Sequence, residues 1–332
     1  MADITVSMIQ FMTDHPRLKY IFFGGKGGVG KTVVAGVAAL WAAQQGKNTL
    51  LVSTNPAHSL SSMLDQDVFG KPTPVRGVDK CSALEIDVRD TIEQSKREIR
   101  EKISWFLQFA NITAKAEDFI ESATLNPAFE ESAMFENMID IMFRDEYEFY
   151  VFDTAPAAST RRLMRMSKVH SLWVEKMLKN REEAKSLRET LSFSRKKQEQ
   201  DPLLEYFLKF RERAANAKGL LTDDALTAFF FVTLPESLPI AVITRFINWF
   251  HEFGIPVGGV LVNGLIQKDK AGADSAEFLL NRIKMQDEHM REIRQIFGEK
   301  LRAIIPLFET EIKGTEKLLR TVDHVFKPNG SE

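Results

Sequence analysis

The chain has 332 residues, 44% of them hydrophobic and 27% charged, with a formal net charge of -2. That composition belongs to a globular protein with room for one large domain or two interleaved ones. The charge balance gives no general attraction to nucleic acid or to an acidic membrane, and a single cysteine, Cys81, excludes a disulfide framework and a cysteine-built zinc or iron–sulfur site.

The first expected element is a short buried strand, Lys19–Gly24 ("KYIFFG"), which runs into a glycine loop. Thr32–Gln45 is Ala-rich and predicts a helix that Gly46 ends. Asn48–Ser53 predicts a second strand, so the start of the chain reads strand–loop–helix–strand, the opening of a parallel α/β sheet. Further strands are expected at Ala83–Val88, Glu148–Phe152, Ala228–Val232, Val257–Val262 and Ala303–Ile305. Six or seven buried strands with helical connections make an open, doubly wound sheet. Two stretches, Thr91–Arg144 and Arg161–Thr222, carry helical patterns and are far longer than a usual crossover. The expected division is therefore a nucleotide-binding core at 19–90, 145–165 and 226–320, with a helical subdomain from 91–144 and 166–225. Glu182–Glu199 reads as a solvated charged helix, and Asp201-Pro202 as a helix start with Pro in the first turn.

Among the six histidines no pair has a helical metal-ligand spacing, and no zinc is expected. No apolar run approaches the roughly 20 residues of a spanning helix. The first residues, "MADITVSMIQFMTDHP", lack a basic region, a long apolar region and a small-residue cleavage site, so a cytoplasmic location is expected.

The most informative stretch is "GKGGVGKT", Gly25 to Thr32, directly between strand and helix. It matches the phosphate-loop pattern G-x-x-x-x-G-K-[ST]. Glycines let backbone N–H groups face a phosphate without Cβ clashes, so Gly25, Lys26, Gly27, Gly28, Val29, Gly30, Lys31, Thr32 and Val33 are the expected ATP-binding residues. Lys31 reaches the β and γ oxygens, the Thr32 hydroxyl binds Mg²⁺, and the helix N-terminus adds positive potential.

In order, "GGKGGVGKT", "STNPAHSLSSML", "NPAFEESAMFENM", "VFDTAPAASTRRLM", "TLPESLPIAVITRFINWFHEFGIPVGGVLVNGL" and "IPLFETEIKG" resemble the family of arsenite-pump ATPases and tail-anchored-protein targeting ATPases, from residue 19 to about 319. The resemblance implies a deviant phosphate loop in which Lys26 crosses a homodimer interface to the partner's nucleotide and offsets charge on the transferred phosphoryl group. It implies that Asp153 helps hold Mg²⁺, that Asn263 reads adenine, and that Pro306 and Phe308 belong to a loop over the base. Phe308 stands where Leu-Pro is more usual, and Ala157, Ala158 and Ser159 replace the family's usual "TGH". The sharpest departure is Asn55. The family has "STDPAHS" in its switch I loop, where the aspartate orients the attacking water. An amide still hydrogen-bonds water but cannot serve as a carboxylate base, so hydrolysis is expected to be slow while ATP binding survives.

Arsenite handling needs several converging soft thiolates, which one cysteine cannot provide, and the chain has one phosphate loop where the arsenite-pump ATPase has two tandem halves. Targeting of hydrophobic transmembrane segments is the expected task, with a membrane receptor as a further partner and no nucleic acid. "ISWFLQFANI" (Ile103–Ile112) and the Met134, Met138, Met142 stripe are the candidate client surface, although such a stripe equally builds a core. The second long insertion lacks methionine between Met177 and Met285, and the family's zinc-binding CxxC pair is missing. A regulatory ATP switch of the partition and division type is the alternative.

Overall fold

The computed structural model describes residues 4–54, 59–109, 127–154, 202–268 and 277–326. They divide into two compact units, one of Met1–Thr91, Asn137–Ala157 and Thr222–Glu332, the other of Ile92–Glu136 and Ala158–Leu221. In the second unit every described residue lies in a helix: α4 (Val88–Phe109) supplies one length, α5 (Pro127–Arg144) another and α6 (Pro202–Thr222) a third.

The first unit is built on an eight-stranded sheet. Its strands are β1 (Tyr20–Gly24), β2 (Thr49–Ser53), β3 (Thr73–Pro74), β4 (Cys81–Glu85), β5 (Phe149–Asp153), β6 (Thr227–Thr233), β7 (Val257–Leu265) and β8 (Leu301–Pro306). The spatial order is β3-β4-β2-β5-β1-β6-β7-β8. Every pairing is parallel except the edge contact of β3 with β4. The order leaves β1 in the middle, with the chain first winding one way and later the other, which opens a crevice at the carboxyl ends of the strands.

Apolar content on both faces explains why the central strands are interior. All residues of β1, β2, β5 and β6 are buried, as a parallel sheet covered on both sides requires. Phenylalanines tie the middle together: Phe22 stacks on Phe152 at 4.7 Å and on Phe229 at 4.4 Å, ring to ring across three strands. Each such pair adds roughly 0.5–1.5 kcal/mol beyond its buried area. On the other face α2 (Lys31–Gln44) lays down small side chains, Ala35, Ala38, Ala39 and Ala42, all fully buried. Gly36 lets Met63 of α3 (Ser59–Leu64) approach, because a Cβ there would meet Met63 Cε at 2.6 Å. The Met63 carbonyl accepts from Gly314 N at 2.8 Å, just before α9 (Thr315–Val325), and Lys313 pairs with Asp65 at 2.9 Å.

The sheet exceeds the six or seven expected strands. β3 is two residues long, with Pro74 at the sheet edge where a missing N–H costs nothing. The expected strand Ala83–Val88 is displaced: β4 covers Cys81–Glu85 and Val88 already begins α4. Asp87 is the reason. Its carboxylate accepts from Arg89 N at 2.9 Å and Asp90 N at 3.1 Å, capping the helix that follows. A helix before β1 was not expected. α1 (Met8–Asp14) starts at Ser7, whose hydroxyl accepts from Gln10 N at 3.3 Å, and buries Met8 and Met12. Buried Arg302 on β8 holds this segment, donating to Val6 O at 3.1 Å and Gly258 O at 2.7 Å. The two helices between β6 and β8, α7 (Ser237–Glu252) and α8 (Glu277–Phe297), complete the layers. Phe250 of α7 packs edge-on to Phe229 at 4.9 Å.

Candidate functional site

The strand register brings three polar residues to one edge. Ser53 at the end of β2 lies level with Asp153 at the end of β5 and with Glu85 at the end of β4. β1 ends beside them and delivers the glycine loop, and α2 begins at Lys31.

The loop is a backbone cradle. Gly25 has φ +147° and a Cβ there would meet Val232 O at 2.3 Å, while Gly30 has φ +91° and its Cβ would meet Asn263 Nδ2 at 2.2 Å. Only glycine fits either place. At Gly27 and Gly28 an added Cβ would find nothing within 4 Å, so this part of the loop faces open space. Gly30 caps α2 without a side-chain bond, which leaves the first-turn N–H groups for an anion. Lys31 Nζ folds back to donate to Lys26 O at 3.2 Å. Burial pushes the Lys31 ammonium below its ordinary pKa, and the Asp153 carboxylate opposes that shift. Lys26 points its exposed side chain to solvent, and Val33 packs against the core of the sheet.

Thr32 Oγ1 donates to Asp153 Oδ2 at 2.6 Å and Ser53 Oγ donates to the same oxygen at 3.3 Å. Burial holds the Asp153 carboxyl above the usual carboxylate range. Thr32, Lys31 and Ser53 pull it down, and neighbouring Glu85 pushes it up. Thr154, the next residue, keeps its buried Oγ1 without a hydrogen-bond partner among the described residues. Open cradle, uncapped helix start and orphaned hydroxyl together fit a bound phosphate. Thr32 and Asp153 offer the hard oxygen donors that Mg²⁺ prefers. Among the described residues no group of three or more His, Cys, Asp or Glu is gathered to hold an ion, so Mg²⁺ here would take its other ligands from phosphate and water.

Asn263, at the end of β7, donates from Nδ2 to Val29 O at 2.9 Å and so ties the sheet to the glycine loop. Gln286 of α8, which the sequence reading passed over, steadies this strand end: its amide donates to Gly264 O and accepts from Ile266 N, both at 2.9 Å. Pro306 ends β8. Phe308 packs against the core and sits edge-on to His324 at 5.3 Å, whereas Leu307 is 59% exposed. Leu307 is thus the more exposed of the two apolar residues in this loop.

Asn55, with Pro56, Ala57 and His58, lies outside the described residues, as do Ala157, Ala158 and Ser159. The ends of the Asn55 loop are described and both reach the site. Thr54 N donates to Asp153 O at 3.1 Å, and the Ser59 hydroxyl is 3.4 Å from Thr32 Oγ1. Glu85, also passed over, is fully buried; Leu60 N donates to its Oε1 at 3.0 Å and Ser61 Oγ to its Oε2 at 2.6 Å.

Met134, Met138 and Met142 are buried, at 7%, 2% and 1% exposure, so the methionine stripe is packed as core and offers no client surface in this structure. The Phe106 side chain lies outside the described set, and Ala110–Ile112 of the other expected client stretch do so entirely. No helix among the described residues is long and apolar enough to cross a membrane. Cys81 is buried and its thiol is pushed up to about 12 by that burial.

Residues 18–327 match the model of the family described as anion-transporting ATPase. A protein of Pyrenophora tritici-repentis named ATPase get3 is 30% identical over 336 residues, covering 98% of this chain and 96% of its own length. ATPase ASNA1 homolog 2 of Paramecium tetraurelia is 28% identical over 320 residues, 95% of each chain. A relative in Halobacterium salinarum, named as an arsenical pump-driving ATPase, is 32% identical over 302 residues, 90% of this chain but 42% of that protein.

Proposed function

The chain belongs to the anion-transporting ATPase family and is an ATPase; from that premise we propose that it works as a cytoplasmic homodimer that captures hydrophobic membrane-protein segments and switches between open and closed forms as ATP is bound and hydrolysed. The observation that carries the nucleotide half is the Thr32–Asp153 contact at 2.6 Å beneath an open glycine cradle. Gly27 and Gly28 receive the phosphates on their backbone N–H groups. Lys31 neutralises phosphate charge, and its partly buried ammonium keeps that charge in a poorly screened place. Thr32 and Asp153 would hold Mg²⁺ together with the phosphates, and the ion would there supply electrostatic stabilisation of charge on the transferred group. Lys26, exposed on the deviant loop, is the residue that reaches the partner's nucleotide. Asn263, Pro306 and Phe308 are the residues assigned to surround the base.

Capture of apolar segments is supported by what the chain cannot do with a metalloid. Soft-metalloid binding requires several thiolates, and Cys81 stands alone, buried, with a thiol that stays protonated near neutrality. The test is capture of a tail-anchored membrane segment in the presence of Mg·ATP: co-purification that depends on ATP supports the targeting role, and an ATP-dependent dimer that never retains an apolar segment leaves the regulatory-switch alternative.

A further inference from the structure

We infer that Gln286 is a positioning residue for nucleotide selection: from α8 it holds the exit of β7, and so sets the side chain of Asn263 and the backbone at Leu307 on the base side of the site. The inference rests on the reading that Asn263 recognises adenine.

The ladder between β7 and β8 slips at this exit. Val262 is level with Ile304 and Leu265 with Pro306, three steps along β7 against two along β8. An extra residue of this kind makes a bulge, which takes main-chain groups out of the ladder and re-aims a side chain. Gly264 sits in the bulge with φ +73°, a left-handed backbone that glycine adopts freely, and an added Cβ would stand 3.4 Å from Leu234 Cδ2. Main-chain groups released from a ladder need other partners. Gln286 provides them. Its Nε2 donates to Gly264 O and its Oε1 accepts from Ile266 N, both at 2.9 Å. Gln286 is only 4% exposed, so water competes little for either bond and losing one would leave a buried group unpaired.

Two parts of the proposed base site depend on the residues so held. Asn263 immediately precedes Gly264 and donates from Nδ2 to Val29 O in the glycine loop at 2.9 Å. Leu265 lies between the two residues bonded to Gln286, and its carbonyl accepts from Leu307 N at 2.8 Å, in the segment assigned to the base. One side chain of α8 thus fixes the backbone from which Asn263 springs and the carbonyl on which Leu307 rests. The residue type matters. A primary amide carries a donor and an acceptor together, so it can bridge a carbonyl and an N–H two residues apart. An apolar side chain matches neither, and an ionised carboxylate matches only the N–H. Both bonds of Gln286 go to backbone, so it acts through Asn263 and Leu307.

Affinities for ADP and GDP, read by titration calorimetry, and melting temperatures are measured on the parent, Gln286→Met, Gln286→Glu and Asn263→Ala proteins. The two diphosphates carry the same phosphates and sugar, so the ratio of their affinities reads the base. The parent should prefer ADP. Gln286→Met should narrow that preference roughly 2–10-fold, the worth of one neutral hydrogen bond. Gln286→Glu keeps the acceptor for Ile266 N and should narrow it by less, and Asn263→Ala should narrow it at least as far as Gln286→Met. A parent-like ratio in Gln286→Met overturns the inference, also where ADP and GDP weaken equally as the melting temperature falls, which marks a merely structural role. Should Gln286→Met not fold, Gln286→Glu decides: a narrowed ratio supports the inference and the parent's ratio overturns it. If Asn263→Ala keeps the parent's ratio, or the parent does not prefer ADP, the adenine reading has failed and the inference falls with it. A narrowed ratio in Asn263→Ala beside an unaltered one in Gln286→Met confines the failure to Gln286.

Discussion

Thr32 and Asp153, 121 residues apart in the chain, share a hydrogen bond of 2.6 Å between Oγ1 and Oδ2. The two oxygen donors proposed for Mg²⁺ are thereby brought to one point by the register of β1 and β5. Replacing Asp153 with Asn should therefore remove most of the metal dependence of ATP binding. In the parent, chelating Mg²⁺ should weaken ATP by about tenfold or more, the cost of losing a charge-assisted contact. In Asp153→Asn the chelator should change little. Titration of fluorescent ATP with and without EDTA reads both, and equal Mg²⁺ dependence in the two proteins removes Asp153 from the metal site.

Restoring a carboxylate at Asn55 should speed hydrolysis with ATP affinity unchanged. A positioned acid–base group contributes roughly 10²–10⁴-fold, so the single-turnover gain for Asn55→Asp is expected to exceed about tenfold. Equal rates mean that water is held by something else and that Asn55 is a turn residue before Pro56.

Lys26→Ala should bind nucleotide as a monomer yet fail to form the Mg·ATP dimer, since Lys26 is exposed and the cradle is built from backbone and Lys31. Light scattering with Mg·ATP follows the dimer. A variant that dimerises and hydrolyses like its parent leaves the lysine without a cross-interface role.

Gly30→Ala should be worse than Gly28→Ala. Both positions have left-handed backbone, φ +91° and +83°, and both substitutions carry the strain of about 1–2 kcal/mol that a side chain brings there. Only at Gly30 does the new Cβ collide with Asn263, at 2.2 Å from its Nδ2. Melting temperatures should fall further for Gly30→Ala and ATP affinity should drop with them. Matching behaviour of the two variants would show that the Asn263–Val29 tie contributes nothing to binding.

Cys81 should ignore thiol reagents at pH 8 until the protein unfolds. Its folded pKa is raised to about 12 by burial, against about 8.5 for a free thiol. The sign follows: the group favours the folded state fully below about 8.5 and loses that contribution as pH climbs towards 12. Rapid native-state labelling by Ellman's reagent at pH 8, or ATPase activity stimulated by arsenite, would count against the burial and revive the metalloid reading.

The site and the fold were unequally legible. The cradle could be read directly because glycine spacing between a strand and a helix has one physical use, and the aromatic runs of β5 and β6 announce strands covered on both faces. Asp87 defeated the reading of β4, since "ALEIDV" alternates like a strand and the cap forms only once Arg89 and Asp90 turn towards it. The Ser7 cap and the Met8–Met12 pair were a local signal for α1 that went unused. Glu85 and Gln286 gave no signal at all: their roles depend on α3 and on the end of β7, which are distant in sequence. The methionine stripe marks the opposite limit, a periodicity that serves groove and core alike, which burial alone distinguishes.

The short helix α3 is fastened at more than its first turn. Met63 rests its thioether against Gly36 of α2 and its carbonyl receives Gly314 N, while Asp65 pairs with Lys313. One six-residue helix thus touches both Thr32, through Ser59, and the residues just before α9, through Met63 and Asp65. Amide exchange at Gly314 should therefore slow together with that at Leu60 when ATP binds, and by less with ADP.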